Sequence, residues 1–185
     1  MIISDQATVE QPPFDTHPAI CVSIIDIGTQ KREYKGVVQM KRRVRLGFQL
    51  PECLRTTGEN AGSPFLMTEF YTASLSEKAT LCALLESWRG RKFTEEEKKG
   101  FNLKNLLGVP CMLQVIEGSN GKAHIGGITK MYKGVPTPQM VGGTQYFSLD
   151  EFDKAVFESL TDGVKAMIED SPEYQKVCPG IDYFD

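Results

Sequence analysis

Residues 37–50, VVQMKRRVRLGFQL, alternate with a period of two. Val38, Met40, Val44, Leu46 and Phe48 fall on one side, with Arg42 as the exception, and Gln39, Lys41, Arg43, Arg45 and Gln49 fall on the other. The pattern predicts a strand with one apolar and one basic face. Gly47 in its middle predicts a bulge or sharp bend, which a small barrel needs in order to close. Residues 19–27, AICVSIIDI, are rich in β-branched side chains and end at Gly28, so they predict the preceding strand. Between the two, TQKREYKG reads as a short basic hairpin loop. A long loop over 51–64, with Gly58 and Gly62, leads to a third strand over 65–73.

Beyond it the period changes. Leu81, Leu84, Leu85 and Trp88 recur at helical spacing, after Ser74 or Ser76 as cap and before Gly90 as stop. Thr94 followed by Glu95, Glu96 and Glu97 starts a second helical piece that runs to about Leu107. Pro110–Glu117 and residues 122–132 read as strands joined by Gly118-Ser119-Asn120-Gly121, whose Asn-Gly is a strong hairpin signal. Residues 133–145 are Pro/Gly-rich, like a linker, and 148–176 carry helical signals. Three strands, a helix and a closing hairpin, with no βαβ alternation, is the element order of the five-stranded OB barrel. The predicted fold is therefore mostly β with helices, the helix lying between strands 3 and 4. The expected organisation is a flexible arm over 1–17, an OB-fold domain over 18–135, and a linker with an acidic C-terminal helical tail over 136–185.

Charge is segregated along this plan. Residues 19–135 hold 18 Lys and Arg against 11 Asp and Glu, a net of +7, whereas 1–18 and 146–185 are acidic. A one-signed body attracts polyanions. No Lys or Arg precedes Lys31, so the start lacks the basic region of a secretion signal, and no stretch approaches the roughly 20 apolar residues of a membrane span. A cytoplasmic location is expected. The five cysteines are widely spaced and predict free thiols rather than a zinc site. His17 and His124 stand in no recognisable nucleophile–base pattern, GSNGK lacks the glycine-to-lysine spacing of a phosphate loop, and the three glutamates read as a helix first turn. No enzyme, cofactor or metal is expected.

The candidate chemistry is binding. Lys41, Arg43 and Arg45 recur on one strand face about 7 Å apart, close to the repeat of an extended nucleic-acid backbone. Lys31, Arg32 and Lys35 lie just before them. Tyr34, Phe70, Tyr71 and Tyr132 can stack bases, a contact that suits single strands because every base has a π-face. Tyr34 in its basic loop is the favoured ring, and of Phe70 and Tyr71, which point to opposite faces, the amphipathic tyrosine is preferred. Trp88 continues the apolar helix stripe into the core. Arg89, Arg91 and Lys92 fan out at the helix end, where they can extend a phosphate track or satisfy the helix C-terminal dipole, and Lys122 is a further candidate for DNA contact.

The run LSEKATLCALLESWRGRKFTEEEKKGFNLKNLLGVPCMLQVIEGSNGK, preceded by FYTASL, resembles a family of tailed-bacteriophage single-stranded DNA-binding proteins. The likeness covers about residues 18–135, and Tyr71, Trp88, Arg89 and Phe93 of its motifs are in place. It implies an OB fold and non-sequence-specific DNA binding, rather than RNA binding, in phage replication or recombination. The last residues resemble the acidic, aromatic tip through which bacterial single-stranded DNA-binding proteins recruit repair and replication enzymes, which implies replication or recombination partners for this chain. Asp182, Tyr183, Phe184 and Asp185 are the corresponding candidates, although a final Pro-Phe is missing. The same tail could simply solubilise a basic protein or compete with DNA for the groove. Weak self-association stays open. The rival reading is a protein-interaction module, a phage-encoded adaptor or inhibitor docking a host protein.

Overall fold

The computed structural model describes residues 10–178. Its sheet comprises β1 (Thr16–Tyr34), β2 (Val37–Leu54), β3 (Pro64–Thr72), β4 (Pro110–Glu117), β5 (Ala123–Thr129) and β6 (Gln145–Phe147). Helices α1 (Thr80–Arg89) and α2 (Glu95–Lys99) and a 3-10 turn (Leu103–Leu106) stand between β3 and β4. Helices α3 (Lys154–Glu158), α4 (Asp162–Glu169) and α5 (Pro172–Val177) follow β6. The expected order of three strands, helix and two strands is present.

Local chemistry explains most boundaries. Gly90 closes α1 in the left-handed conformation at φ 71°, and its N–H reaches back to the Glu86 and Ser87 carbonyls. Thr94 and Glu97 form a complete capping box at the start of α2. Ser74 and Ser76 do not cap α1, whose N-cap is Ala79 without a side-chain bond. Their hydroxyls bond to each other instead.

The expected loop TQKREYKG is strand. β1 and β2 stay paired out to Tyr34 and Val37, forming a two-stranded arm over 29–42 that projects beyond the body. Lys35 at φ 50° and Gly36 at φ 75° make the tight two-residue turn, both with the positive φ such hairpins require. Polar side chains do not disfavour this pairing, because both faces of the ribbon are wet and the backbone bonds are made across it.

The hydrogen-bonded order is β3-β2-β1-β4-β5, all antiparallel, and β6 runs parallel to β1. β4 pairs with β1 from Thr16 to Ile20, and β6 takes the same edge from Ser23 to Ile25. The sheet curls until its ends face each other, with Glu69 of β3 and His124 of β5 3.7 Å apart. Among the described residues no ladder joins those two strands, so the sheet is open rather than closed. Glu69 has the strand parity of the buried Met67 and Tyr71. Its carboxylate is partly exposed at that seam.

The predicted irregularity at Gly47 lies across the ladder, where the β1 register shifts between Cys21 and Ser23. A Cβ at Gly47 would lie 2.1 Å from Ser23 Oγ. The main core fills the inside of the sheet with Val44, Leu46, Phe48, Leu50, Leu81, Leu85, Leu113 and Trp88. Trp88 Nε1 donates to the Pro110 carbonyl at 3.0 Å, so the indole is core, as its helix stripe predicts.

Residues 145–178 fold onto the outer face of β1. Ile25 and Ile27 form a second core with Phe147, Leu149, Phe157, Leu160, Val164 and Ile168. The predicted helical stretch is thus three short helices, docked rather than trailing. Gly28, at φ 69°, permits the approach: a Cβ there would lie 2.4 Å from the Ser171 side chain. Gln30 Nε2 donates to the Met167 carbonyl at 2.7 Å, and the Thr29 N–H donates to Glu173 at 2.8 Å. Because β1 is covered on both sides, its run AICVSIIDI is apolar at nearly every position.

Candidate nucleic-acid interface

A cleft of about 760 Å³ opens where the root of the arm, the end of β3, the 73–79 segment, α1 and β5 meet. Its lining carries five cations, Arg32, Lys41, Arg42, Arg43 and Lys78, against a single acid, Glu69. Hydroxyls of Thr72, Ser74, Ser76 and Thr80 lie among them.

The β2–β3 register builds the centre of this surface. It sets Arg45 opposite Phe70 and Arg43 opposite Thr72, so the two arginines flank one ring. Their guanidinium carbons stand 5.3 Å (Arg43) and 6.0 Å (Arg45) from the Phe70 centroid. Arg43 Nη2 donates to the Phe70 carbonyl and Arg45 Nη2 to Thr68 Oγ1, each at 3.2 Å. Burial pulls the Arg43 guanidinium below its usual pKa, and the nearby Arg32 adds like-charge repulsion that Glu69 only partly offsets. Burial alone lowers Arg45. Arg43 Nε is buried without a hydrogen-bond partner. An anion beside Arg32 and Arg43 would relieve their repulsion.

Arg42 is different. It is clamped by Asp26 and, at 2.9 Å, by Asp150, and the Asp26 bond is the main reason its pKa is raised. Asp26 also accepts the Leu149 N–H at 3.1 Å, which ties the root of the arm to the C-terminal unit.

Of the other predicted residues, Arg32, Lys41 and Arg43 share the cleft. Lys31 and Lys35 lie farther out on the arm. The Tyr34 side chain lies outside the described residues, as do Asp182, Tyr183, Phe184 and Asp185. Tyr71 also lines the cleft, but it is 6% exposed and packs into the main core, and burial raises its phenol pKa. Phe70, the other ring of that pair, lies on the basic face, half-buried against the second core. Arg89 and Arg91 lie outside the cleft lining. Both are bonded to Glu97, and Arg89 lies 4.2 Å over the Phe93 ring, so they lock the α1–α2 junction. Bonds from Arg91, the Thr94 N–H and Arg89 hold the Glu97 carboxyl down at about 2. Lys122 stands in the β4–β5 turn. Tyr132, 52% exposed, lines a separate hollow of about 190 Å³ with Thr16, Met112 and Gln114.

Lys78, Ser74 and Ser76 were missed because they lie in the irregular segment between β3 and α1, and Thr72 and Thr80 sit at the very ends of those elements, where periodicity gives no signal. Phe70 had a signal, since it shares a strand with the chosen tyrosine, but only pairing to Arg45 decides its face. Away from the cleft, Cys53 Sγ stands 3.2 Å from His17 Nδ1, and burial raises that thiol's pKa above the ordinary value. Among the described residues no three His, Cys, Asp or Glu side chains converge to hold a metal, and no helix is long and apolar enough to cross a membrane.

No protein-family model, curated protein or solved structure matches the chain. The functional reading therefore rests on the cleft. Its cations outnumber its acids, its central ring is flanked by guanidiniums, and its remaining polar groups are neutral donors.

Proposed function

We propose that this chain binds single-stranded DNA without sequence preference, as a non-catalytic protein of phage replication or recombination. One observation carries the reading: Arg32, Lys41 and Arg43 line one cleft with Phe70, a ring half-buried against the second core, and only Glu69 offsets them. Phosphates would take the cations, and bases would stack on the ring whatever their identity. The proposed architecture is an OB-type barrel left open between β3 and β5. In that architecture the face of strands 2 and 3 and the loop joining strands 1 and 2 receive oligonucleotides, which is where the cleft lies in this chain. The final residues Asp182, Tyr183, Phe184 and Asp185 are proposed to recruit replication or recombination proteins in the host cytoplasm.

Anisotropy titration of labelled oligo-dT, beside equal lengths of RNA and duplex and at two salt concentrations, tests the proposal. Saturable binding that favours the DNA single strand and weakens with salt supports it. Absence of saturable binding at low salt overturns it, and duplex binding as tight as single-strand binding overturns the single-strand specificity.

A further inference from the structure

We propose that Cys53 is a site of S-thiolation, its thiol exchanging with a cationic or neutral low-molecular-weight disulfide while His17 takes the proton. Cys53 Sγ stands 3.2 Å from His17 Nδ1, and His17 Nε2 stands 2.8 Å from the Pro13 carbonyl oxygen. A carbonyl oxygen only accepts, so Nε2 carries the proton of that bond. In the neutral ring Nδ1 then presents its lone pair to the thiol. A thiol, a base within hydrogen-bond reach and a third group orienting the base form the arrangement that activates a sulfur nucleophile. The fold holds all three in place. β1 and β2 stop pairing at Ile20 and Gln49, and the β2–β3 register shifts between Leu50 and Leu54, so Cys53 sits in an irregular stretch beside the start of β1. His17 is fixed opposite Leu113 of β4. The Pro13 carbonyl also accepts the Asp15 N–H at 3.0 Å. Just before it, Glu10 accepts the Thr56 N–H at 2.8 Å and Gln11 Nε2 donates to the Gly121 carbonyl at 3.1 Å, which pins the orienting group.

Cys53 is singled out among the thiols. Cys21, Cys82 and Cys111 are buried, whereas Cys53 and Cys178 are partly exposed. The chain has two histidines, and the other, His124, faces Glu69. Burial and the neighbouring Glu52 both push the Cys53 thiol above its ordinary pKa. It therefore rests protonated and becomes a nucleophile by passing its proton to His17, and a thiolate of high pKa is the stronger nucleophile once formed. The Glu52 charge also disfavours an anionic disulfide. In the exchange, Sγ attacks one sulfur of the disulfide as its proton moves to Nδ1. The S–S bond breaks, and the departing thiolate takes that proton and leaves as a free thiol. The Cys53 sulfur is oxidised and the leaving sulfur reduced, so no other oxidant is needed. Neither Cys53 nor His17 lines the cleft, so the inference does not depend on DNA binding and is tested without DNA.

The full chain is treated with cystamine, a cationic disulfide, and separately with oxidised glutathione, an anionic one. Intact mass gives the rates, and peptide mass mapping places the adducts. The expected result is a first adduct on Cys53 that forms faster with cystamine than with glutathione. Cys53→Ser should abolish it, and Cys178→Ser should leave its rate unchanged. His17→Gln should slow it by about 100-fold at about pH 7, the lower end of what a positioned base supplies. That deficit should narrow at about pH 9, where hydroxide deprotonates the thiol without the imidazole. The order in which the wild-type thiols react needs no variant, and a first adduct on any other cysteine overturns the proposal. So does a His17→Gln protein that melts like wild type and reacts at the wild-type rate. Faster reaction with glutathione than with cystamine overturns the preference for a cationic or neutral disulfide.

Discussion

Removing two cations from the cleft should change how salt weakens DNA binding, by an amount that follows from the lining. Arg32, Lys41, Arg43 and Lys78 are the cleft cations outside the Arg42 clamp. If each meets a phosphate, a single strand loses affinity with a log–log salt slope of about -2.8, since each contact contributes about -0.7. Between about 50 and about 200 mM salt that is roughly a 50-fold loss. Lys41→Gln/Arg43→Gln should halve the slope to about -1.4, reducing the loss to roughly 7-fold over the same range. Arg91→Gln, whose guanidinium is bonded to Glu97, should leave the slope at the wild-type value. Anisotropy titrations of one oligo-dT at four salt concentrations measure all three proteins. A double variant with the wild-type slope and an intact melting transition would refute the idea that these side chains meet the phosphates.

Phe70→Ala should weaken single-strand binding by about 1–3 kcal/mol, roughly 5- to 150-fold, while Tyr71→Ala should lower stability by about 3–5 kcal/mol as a core truncation. Denaturant melts and titrations of both variants distinguish the roles, and the opposite pattern would restore the tyrosine as the stacking ring. Gly47→Ala should lower the melting temperature because its Cβ meets Ser23 Oγ. Adding Ser23→Ala removes that atom and leaves only ordinary contacts, the residue 23 Cβ at 3.4 Å and Thr68 at 3.5 Å, so the double variant should recover more stability than additivity allows. Additive losses in the four-protein cycle would discount the clash. Glu97 has its carboxyl held at about 2 against an ordinary 4.5, so its contribution is complete above about 4.5 and is lost as pH falls towards about 2. Melting temperatures of Glu97→Gln should therefore decline less steeply than wild type across that window, and parallel declines would contradict the assignment.

Much of this protein is legible in short stretches of sequence. The Thr94–Glu97 capping box and the Gly90 stop involve groups within a turn of one another, so the residues that form them also announce them. The period of two over Val44 to Leu50 separates the core face of β2 from its basic face for the same reason. The segregation of basic body and acidic ends needs no structure at all.

Register and layering are another matter, because they depend on partners distant in the chain. Whether Phe70 or Tyr71 joins the cations depends on how β3 slides against β2, and the pairing of Arg45 with Phe70 follows from the packing of the whole sheet. Arg89 and Arg91 look like free cations until Glu97 folds back onto them. The nearly continuous apolar run in β1 carries a sign that both of its faces are covered, but it does not name the cover. That cover is residues 145–178, over a hundred positions away, brought there by the burial of Phe147, Phe157 and Ile168 against Ile25 and Ile27. Sequence alone determined the elements and the sign of their charge, because backbone bonding and alternation act over a few residues. Tertiary structure decided which ring meets which cation and which acids lie nearby, because water is excluded only when remote segments meet.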